Sequence, residues 1–277
     1  MIFYSVLSVV SANEPCFDRL LDDESRLNDC RQKAQQGNIE AKYALALMYQ
    51  QEKGVVYQND YEAVQLFIEL AEGGHAGAQY ELGMTYYYKS LRGNIIYYGD
   101  GKSTYYNEAL KWLTKSAKNN NVTAKFILGL MYYGGNHYDK NIPPNYKKAV
   151  KWIRAAAQQG FGAAQVKLGE MYYEGMGVDQ DYNEALKWYK QAIKHNNIQA
   201  LRKLSEIYEE GEIVSQDYVK AYMYLYISLE GDLRQKYGND LIFENHMTPS
   251  QIEQAKSLAN DWLQNKKIKG SASLISK

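Results

Sequence analysis

Residues 164–192 read AQVKLGEMYYEGMGVDQDYNEALKWYKQA, and this stretch decides the fold. Its first half has the pattern Ala-x-x-x-Leu-Gly-x-x-Tyr, whose spacing puts the named residues on one side of an α-helix. Gly175 and Gly177 then interrupt the helical pattern. A second pattern, Tyr-x-x-Ala-x-x-Trp, begins at Tyr182. The stretch therefore predicts two helices joined by a short turn, each with one apolar side.

The same two blocks recur five times along the chain. The first block begins at Ala41, Ala78, Ala124, Ala164 and Ala200, and the second begins at Tyr61, Tyr106, Tyr146, Tyr182 and Tyr218. The predicted repeats span about residues 38–73, 74–120, 121–160, 161–196 and 197–231. Because the chain has only 4 Pro and no alternating segments typical of strands, we expect an all-α fold.

The two blocks, together with Gly175-Met176-Gly177-Val178 and Asp181-Tyr182, resemble the Sel1-like (Sel-one-like) repeat, a relative of the tetratricopeptide repeat. The resemblance extends over roughly residues 30–231 and implies an α-solenoid of helix-turn-helix repeats. Two inserts, at about residues 91–104 and 136–144, lengthen the second and third repeats. Such inserts are either binding loops or structureless segments, and the sequence does not decide between these alternatives.

Both ends of the array are predicted to form caps. Residues 28–37 look like the end of a second helix without its first, so residues 13–37 are expected to form an N-terminal half-repeat cap. In the C-terminal segment 232–277, Thr248, Pro249 and Gln251 fit the start of a helix with a capping box. This capping helix is predicted over residues 249–266, and its apolar residues are Ile252, Ala255, Leu258, Ala259 and Trp262.

The first twelve residues fit part of a secretory signal peptide. An apolar run over residues 2–10 is followed by Val10-Ser11-Ala12, which suits cleavage after Ala12, although no basic residue precedes the run. We therefore expect residues 1–12 to be a signal peptide and the protein to be exported. The alternative is a first helix or strand that is buried in the fold.

Two cysteines, Cys16 and Cys30, follow this segment. In one continuous helix they would lie about 21 Å apart, whereas a disulfide needs Cα atoms within about 7 Å. A bond therefore requires a turn between them, and residues 22–25 are the candidate. Export and an even number of cysteines favour a Cys16–Cys30 disulfide, and the alternative is two unpaired thiols in a reducing compartment.

Composition and motifs exclude several classes of function. Lys+Arg and Asp+Glu both number 32, so the formal net charge is zero, which argues against a nucleic-acid-binding protein. No run of about 18 apolar residues predicts an integral membrane segment. Gly101-Lys102-Ser103 lacks the upstream glycine of a phosphate-binding loop, so we expect an ordinary loop there.

Residues for catalysis or metal binding are not evident in the sequence. The four histidines have no second ligand at metal-binding spacing, and no nucleophile motif occurs. We therefore expect no catalytic residue, no metal and no cofactor. The one charged cluster that could be nominated for catalysis consists of Glu170, Arg202, Glu206 and Glu209.

A candidate partner surface follows from the positions that the core does not use. Positions i+2, i+6 and i+9 of each first block lie opposite the core positions and are expected to face the concave side. The apolar and aromatic residues proposed there are Tyr43, Leu47, Tyr80, Met84, Tyr87, Phe126, Leu130, Tyr133 and Tyr173. An exposed apolar patch of this kind often binds a partner. Alternatively, these residues pack against the first helix of the neighbouring repeat.

These features predict a non-enzymatic scaffold or adaptor that binds a protein or peptide on the concave face. We expect a monomer located in the periplasm or secreted, with a cytosolic regulatory adaptor of the same fold as the alternative. A hydrolase with its site in the groove is the less favoured possibility. Nothing in the sequence identifies the partner.

Overall fold

The computed structural model describes residues 23–51, 58–92, 101–135, 142–195, 197–229, 243 and 245–275. Every regular element in these ranges is an α-helix, which confirms the predicted fold class. The predicted signal segment 1–12, Cys16 and part of each insert lie outside the described residues.

Twelve helices follow one another along the described residues. They are α1 (Asp23–Gln35), α2 (Ile39–Gln51), α3 (Gln58–Glu72), α4 (Ala76–Arg92), α5 (Gly101–Lys118), α6 (Val122–Gly134), α7 (Tyr146–Ala157), α8 (Gly162–Glu174), α9 (Tyr182–Lys194), α10 (Ile198–Glu210), α11 (Tyr218–Ser228) and α12 (Pro249–Ile275). Helices α2 to α11 carry the first and second blocks of the five repeats in order. The chain forms two compact units, one ending at Pro144 and one beginning at Asn145.

Polar side chains cap the starts of the helices. Asn121 Oδ1 accepts a hydrogen bond from the backbone N–H of Ala124 over 2.9 Å, and Asp217 caps α11 in the same way. The capping residues of α7, α9 and α10 are Asn145, Asp181 and Asn197. Each such cap is typically worth about 1 kcal/mol. The starts of these five helices therefore follow from the local sequence.

The glycine that follows the leucine of the first block, Gly83 in the second repeat and Gly169 in the fourth, lets the two helices of a repeat approach closely. A Cβ on Gly83 would lie 2.7 Å from Cγ of Leu113, and a Cβ on Gly169 would lie 2.6 Å from the Tyr189 ring. Both distances are shorter than real side-chain contacts, so any larger residue would push the helices apart. Close packing thus explains why the sequence accepts the cost of about 1 kcal/mol that glycine carries in a helix.

The caps at both ends have the predicted helices, with differences in their boundaries. Helix α1 packs on α2 and buries Cys30 completely, but it begins at Asp23, so residues 23–25 are helical rather than part of a turn. Because Cys16 lies outside the described residues, the Cys16–Cys30 bond stays a prediction.

Helix α12 begins with the predicted capping box, in which the Thr248 N–H donates to Gln251 Oε1 over 2.8 Å. Ile252 and Ala255 pack against α11, as the sequence predicted. Leu258 does not join this core, since its side chain is 42% exposed on the outer side of the helix. The helix also continues to Ile275, beyond the predicted end.

One further prediction is wrong. Gly101-Lys102-Ser103 is the first turn of α5 and not a loop. The helical pattern of the second block, which begins at Tyr106, simply extends one turn towards the N-terminus.

Candidate protein-interaction surface

The nine predicted surface residues lie on the first helices of four repeats, and none of them is fully exposed. Tyr43 and Met84 are buried, with 7% and 9% of their surface accessible. The half-buried residues are Leu47, Tyr80, Tyr87, Phe126, Leu130, Tyr133 and Tyr173. The two interpretations of these positions therefore have to be judged residue by residue.

Tyr43 belongs to the junction between the first two repeats. Its ring centroid lies 4.5 Å from that of His75, and a Cβ on Gly77 would lie 2.8 Å from Tyr43 Cζ. His75 also caps α4, because its Nδ1 accepts a hydrogen bond from the Ala78 N–H over 3.0 Å. For Tyr43 and Met84 the packing interpretation holds, and we leave both out of the proposed surface.

Three tyrosines of α4, Tyr80, Tyr87 and Tyr88, form a surface that we call the tyrosine patch. Tyr80 and Tyr87 are half-buried, and Tyr88 is 44% exposed. The ring centroids of Tyr87 and Tyr88 lie 6.3 Å apart, with the rings tilted by 41°. Sequence reasoning missed Tyr88 because it falls outside the three positions considered; the run Tyr86-Tyr87-Tyr88 was the available signal. Partly anchored tyrosines offer contact area at a low entropic cost.

The hydroxyl groups of Tyr80 and Tyr87 stay protonated at physiological pH. Burial raises the pKa of Tyr80 above its usual value, and the negative charge of Glu81 raises it further. Burial also raises the pKa of Tyr87, with a smaller effect from Tyr88. Each phenol can therefore both donate and accept a hydrogen bond, which suits the N–H and C=O groups of a peptide.

Glu81, next to Tyr80, is a buried carboxylic acid that is only 7% exposed. Burial raises its pKa to about 7, while a hydrogen bond with the side chain of Gln50 acts in the opposite direction. Since Gln50 lies on α2 and Glu81 on α4, this bond joins the first helices of two repeats. Sequence reasoning missed Glu81 because its helical position carries no signal that distinguishes a buried carboxyl from an exposed one.

The later first helices offer a different set of side chains. On α6, Phe126, Leu130 and Tyr133 are half-buried. On α8, the Tyr173 ring contacts Tyr182 edge-on with centroids 5.4 Å apart. Within the first unit, the apolar residues of α6 thus belong to the same class of partly accessible positions as the tyrosine patch.

Two members of the charged cluster nominated for catalysis form ion pairs within their own helices. Glu170 pairs with Lys167 over 3.1 Å, and Glu206 pairs with Lys203 over 2.8 Å, each along its own helix. Such pairs one turn apart are ordinary surface features. Among the described residues, no group of three or more His, Cys, Asp or Glu is arranged to hold a metal ion. No helix in the described ranges is long and apolar enough to cross a membrane.

Two solved structures show how the fold compares with known proteins. The crystal structure of a protective antigen present in uropathogenic Escherichia coli strains, described as having an SLR fold, matches with a TM-score of 0.70 and 29% identity. That match covers 88% of this chain and 49% of the antigen, so the chain spans about half of the antigen's length. A Sel1 repeat protein from Oxalobacter formigenes matches with a TM-score of 0.59 and 28% identity, covering 76% of this chain and 78% of that one. No curated protein sequence gives a significant match.

The family model of the Sel1 repeat matches the chain five times in succession. The matched residues are 39–75, 76–121, 122–161, 162–197 and 198–232. Sel1 repeats generally form a non-enzymatic scaffold fold, which favours protein interaction as the activity. Since the matches cover well over half of the sequence and both structural relatives have the same repeat fold, the chain belongs to the Sel1 repeat family.

Proposed function

We propose that this protein is a non-enzymatic adaptor that binds a protein or peptide across the first helices of its first three repeats. The observation that carries the proposal is the tyrosine patch, in which Tyr80, Tyr87 and Tyr88 present accessible rings on one helix and the hydroxyls of Tyr80 and Tyr87 are neutral. Leu47 on α2 and the half-buried residues of α6 extend the surface, and Tyr173 on α8 is a candidate contact in the second unit.

Site-specific crosslinking tests the surface directly. A photoreactive phenylalanine placed at Tyr88 is expected to capture a discrete partner in the native organism. The same group placed at Tyr61 is the control, since Tyr61 is 68% exposed but lies on α3, a second helix. Equal capture from both positions, or from neither, would contradict the proposal.

The double variant Tyr80→Ala with Tyr87→Ala separates binding from packing. If the patch binds a partner, the variant keeps its helical circular dichroism and unfolding midpoint while the partner captured at Tyr88 is lost. A cooperative loss of fold would instead show that these rings belong to the core, as Tyr43 does. The single variant Tyr88→Ala keeps the test informative in that case, because Tyr88 is 44% exposed and its removal leaves the core intact.

Export of the protein is the second part of the proposal. It is supported by the apolar run and small-residue site in residues 2–12 and by the likeness to a protein described as a protective antigen. N-terminal sequencing of the native protein after fractionation is expected to give Asn13 in a periplasmic or secreted fraction. A chain that begins at Met1 in the cytosolic fraction would favour the cytosolic adaptor instead.

The disulfide between Cys16 and Cys30 belongs to the same proposal. Both cysteines remain in a chain cleaved after Ala12, and Cys30 is fully buried in the N-terminal cap. Mass spectrometry after thiol blocking without reduction is expected to show no labelled cysteine. Two labelled cysteines would contradict the bond. Size-exclusion chromatography with light scattering checks the expected monomer.

A further inference from the structure

Equivalent glutamines in the second and fourth repeats have different hydrogen-bond partners. In the second repeat, Gln79 donates through Nε2 to the Ala71 carbonyl over 3.0 Å, and its Oε1 accepts from Asn119 Nδ2 over 3.0 Å. In the fourth repeat, Gln165 makes the same donation to the Ala157 carbonyl over 3.0 Å. Its Oε1 is buried and has no hydrogen-bond partner among the described residues.

The difference arises from the residue at the end of the second helix. Asn119 precedes the α6 cap, Asn121, by two residues, and His195 precedes the α10 cap, Asn197, by the same interval. His195 therefore replaces the asparagine that completes the glutamine in the second repeat. Its imidazole lies over Gly160, where an added Cβ would come within 3.0 Å of the ring.

A second unpaired group lies in the same place. The indole Nε1 of Trp188 on α9 is buried and, within the described ranges of the chain, has no hydrogen-bond partner. Trp188, Gln165 and His195 line a cleft of about 330 Å³ between the ends of α7 and α9. One unpaired acceptor and one unpaired donor thus meet at a single cleft, and a buried polar group without a partner is costly.

We propose that this cleft binds a neutral amide group of a polypeptide partner. An amide supplies both missing groups, since its N–H can donate to Gln165 Oε1 and its C=O can accept from Trp188 Nε1. Gln191 also lines the cleft and can add a further amide contact. The cleft is lined by residues of α7, α8 and α9 and of the turns that follow α7 and α9, and it shares no residue with the tyrosine patch.

The charges around the cleft favour a neutral ligand over an ion. None of the described residues that line the cleft is acidic, so these residues supply no negative charge to balance a cation. Lys187, the lysine of the lining, lies 2.8 Å from Glu184, so its charge is already paired. Because both unpaired atoms are buried, a ligand reaches them when the exposed His195 side chain, at the end of α9, turns away from Gly160.

Nuclear magnetic resonance of the ¹⁵N-labelled full chain tests the proposal. Trp188 gives one of only four indole N–H signals, and Trp188→Phe identifies it. The probes are N-acetyl-glutamine N-methylamide and N-acetyl-alanine N-methylamide. A saturable shift with the glutamine probe alone assigns a side-chain amide, and equal shifts with both assign a backbone amide.

The variant His195→Asn is designed to close the site by restoring the partner that Asn119 provides in the second repeat. We expect it to abolish the shift, while Lys194→Asn, one residue away and outside the lining, leaves it unchanged. If His195→Asn fails to fold, Trp188→Phe is used instead, and binding of the probe is followed by the side-chain amide signals of Gln165. This variant should weaken binding several-fold. No saturable shift with either probe, or a shift that survives His195→Asn, overturns the proposal. The proposal is also overturned if a crystal structure of the protein soaked with the probe shows an ordered water, and not the probe amide, bound to Gln165 and Trp188.

Discussion

In the second repeat, Gln79 is held at both ends of its amide by Ala71 and Asn119, whereas in the fourth repeat Gln165 keeps an unpaired oxygen beside His195. The same pair of repeats also differs two residues after each of these glutamines. Glu81 is buried there in the second repeat, and Lys167 is half-buried and ion-paired there in the fourth.

The core positions of the two repeats are nevertheless equivalent. Ala78 and Ala164 are fully buried, and Gly83 and Gly169 face the second helix at nearly the same distance. The comparison teaches that the repeat motif specifies the packing of the helix pair and leaves the flanking polar positions free to differ. Those flanking positions are where binding and pH sensitivity can differ between repeats.

The largest expected effect tests whether the cores are equivalent. Tyr189 is 1% exposed and fills the space opposite Gly169, so Tyr189→Ala should lower the free energy of unfolding by about 4 kcal/mol. Leu113→Ala, the equivalent change in the second repeat, should cost about 3 kcal/mol. Denaturant unfolding measures both, with exposed Tyr61→Ala as a control expected to cost about 0.5 kcal/mol or less. A cost for Tyr189→Ala no larger than the control would break the equivalence.

The second prediction concerns the buried Glu81 of the second repeat. Burial raises its pKa from the ordinary value of 4.5 to about 7, so the folded state binds more protons than the unfolded state between these pH values. The free energy of unfolding should therefore fall by about 3 kcal/mol as the pH rises from about 4.5 to 7. Glu81→Gln should remove this pH-dependent decrease in stability. Glu72→Gln, which changes an exposed residue of α3, is the control and should show the same decrease as the unmodified protein. Denaturant unfolding across this pH range measures the effect. If the free energy of unfolding of Glu81→Gln falls with pH as steeply as that of the unmodified protein, the prediction is wrong.

A reciprocal exchange of Asn119 and His195 sharpens the comparison further. Asn119→His should destabilise the second repeat by about 2 kcal/mol, because it leaves the Gln79 oxygen without its partner. His195→Asn should stabilise the fourth repeat by about 1 kcal/mol by pairing Gln165. Thermal and denaturant unfolding of both variants measure the two signs. Effects of the same sign would show that the glutamine environments differ in more than this one residue.

The smallest effect is expected in the fifth repeat. Lys203→Ala removes the ion pair with Glu206, both partners being exposed to a third or more, and should change the free energy of unfolding by about 0.5 kcal/mol or less. A change of several kcal/mol would mean that the charged cluster is an organised site of interacting side chains rather than a solvated helix face.

Much of the fold could be predicted because its signals are local. The helical spacing of the apolar residues, the Asn and Asp caps and the capping box at Thr248 all act within one or two turns of chain. Two predictions failed because the pattern did not specify enough. It did not show that α5 begins as early as Gly101, and it did not show which side of α12 contacts the core, so the exposure of Leu258 was not foreseen.

The candidate surface could be predicted only in part. Helical periodicity groups these positions along the first helices, but the burial of each side chain also depends on residues of the following repeat. Tyr43 is covered by His75 and Gly77, which lie more than thirty residues downstream in sequence, whereas Tyr88 on α4 stays 44% exposed. Helical periodicity carries no information about such distant coverage.

The amino-acid sequence by itself therefore determined the helices, their order and the five-fold repetition, since each is encoded by spacing within a single unit. The tertiary structure alone decided which tyrosines reach solvent, that the Glu81 carboxyl is desolvated and that Gln165 and Trp188 have unpaired atoms. The physical reason is that hydrogen bonding and desolvation depend on every group within a few ångströms, and those groups come from different helices.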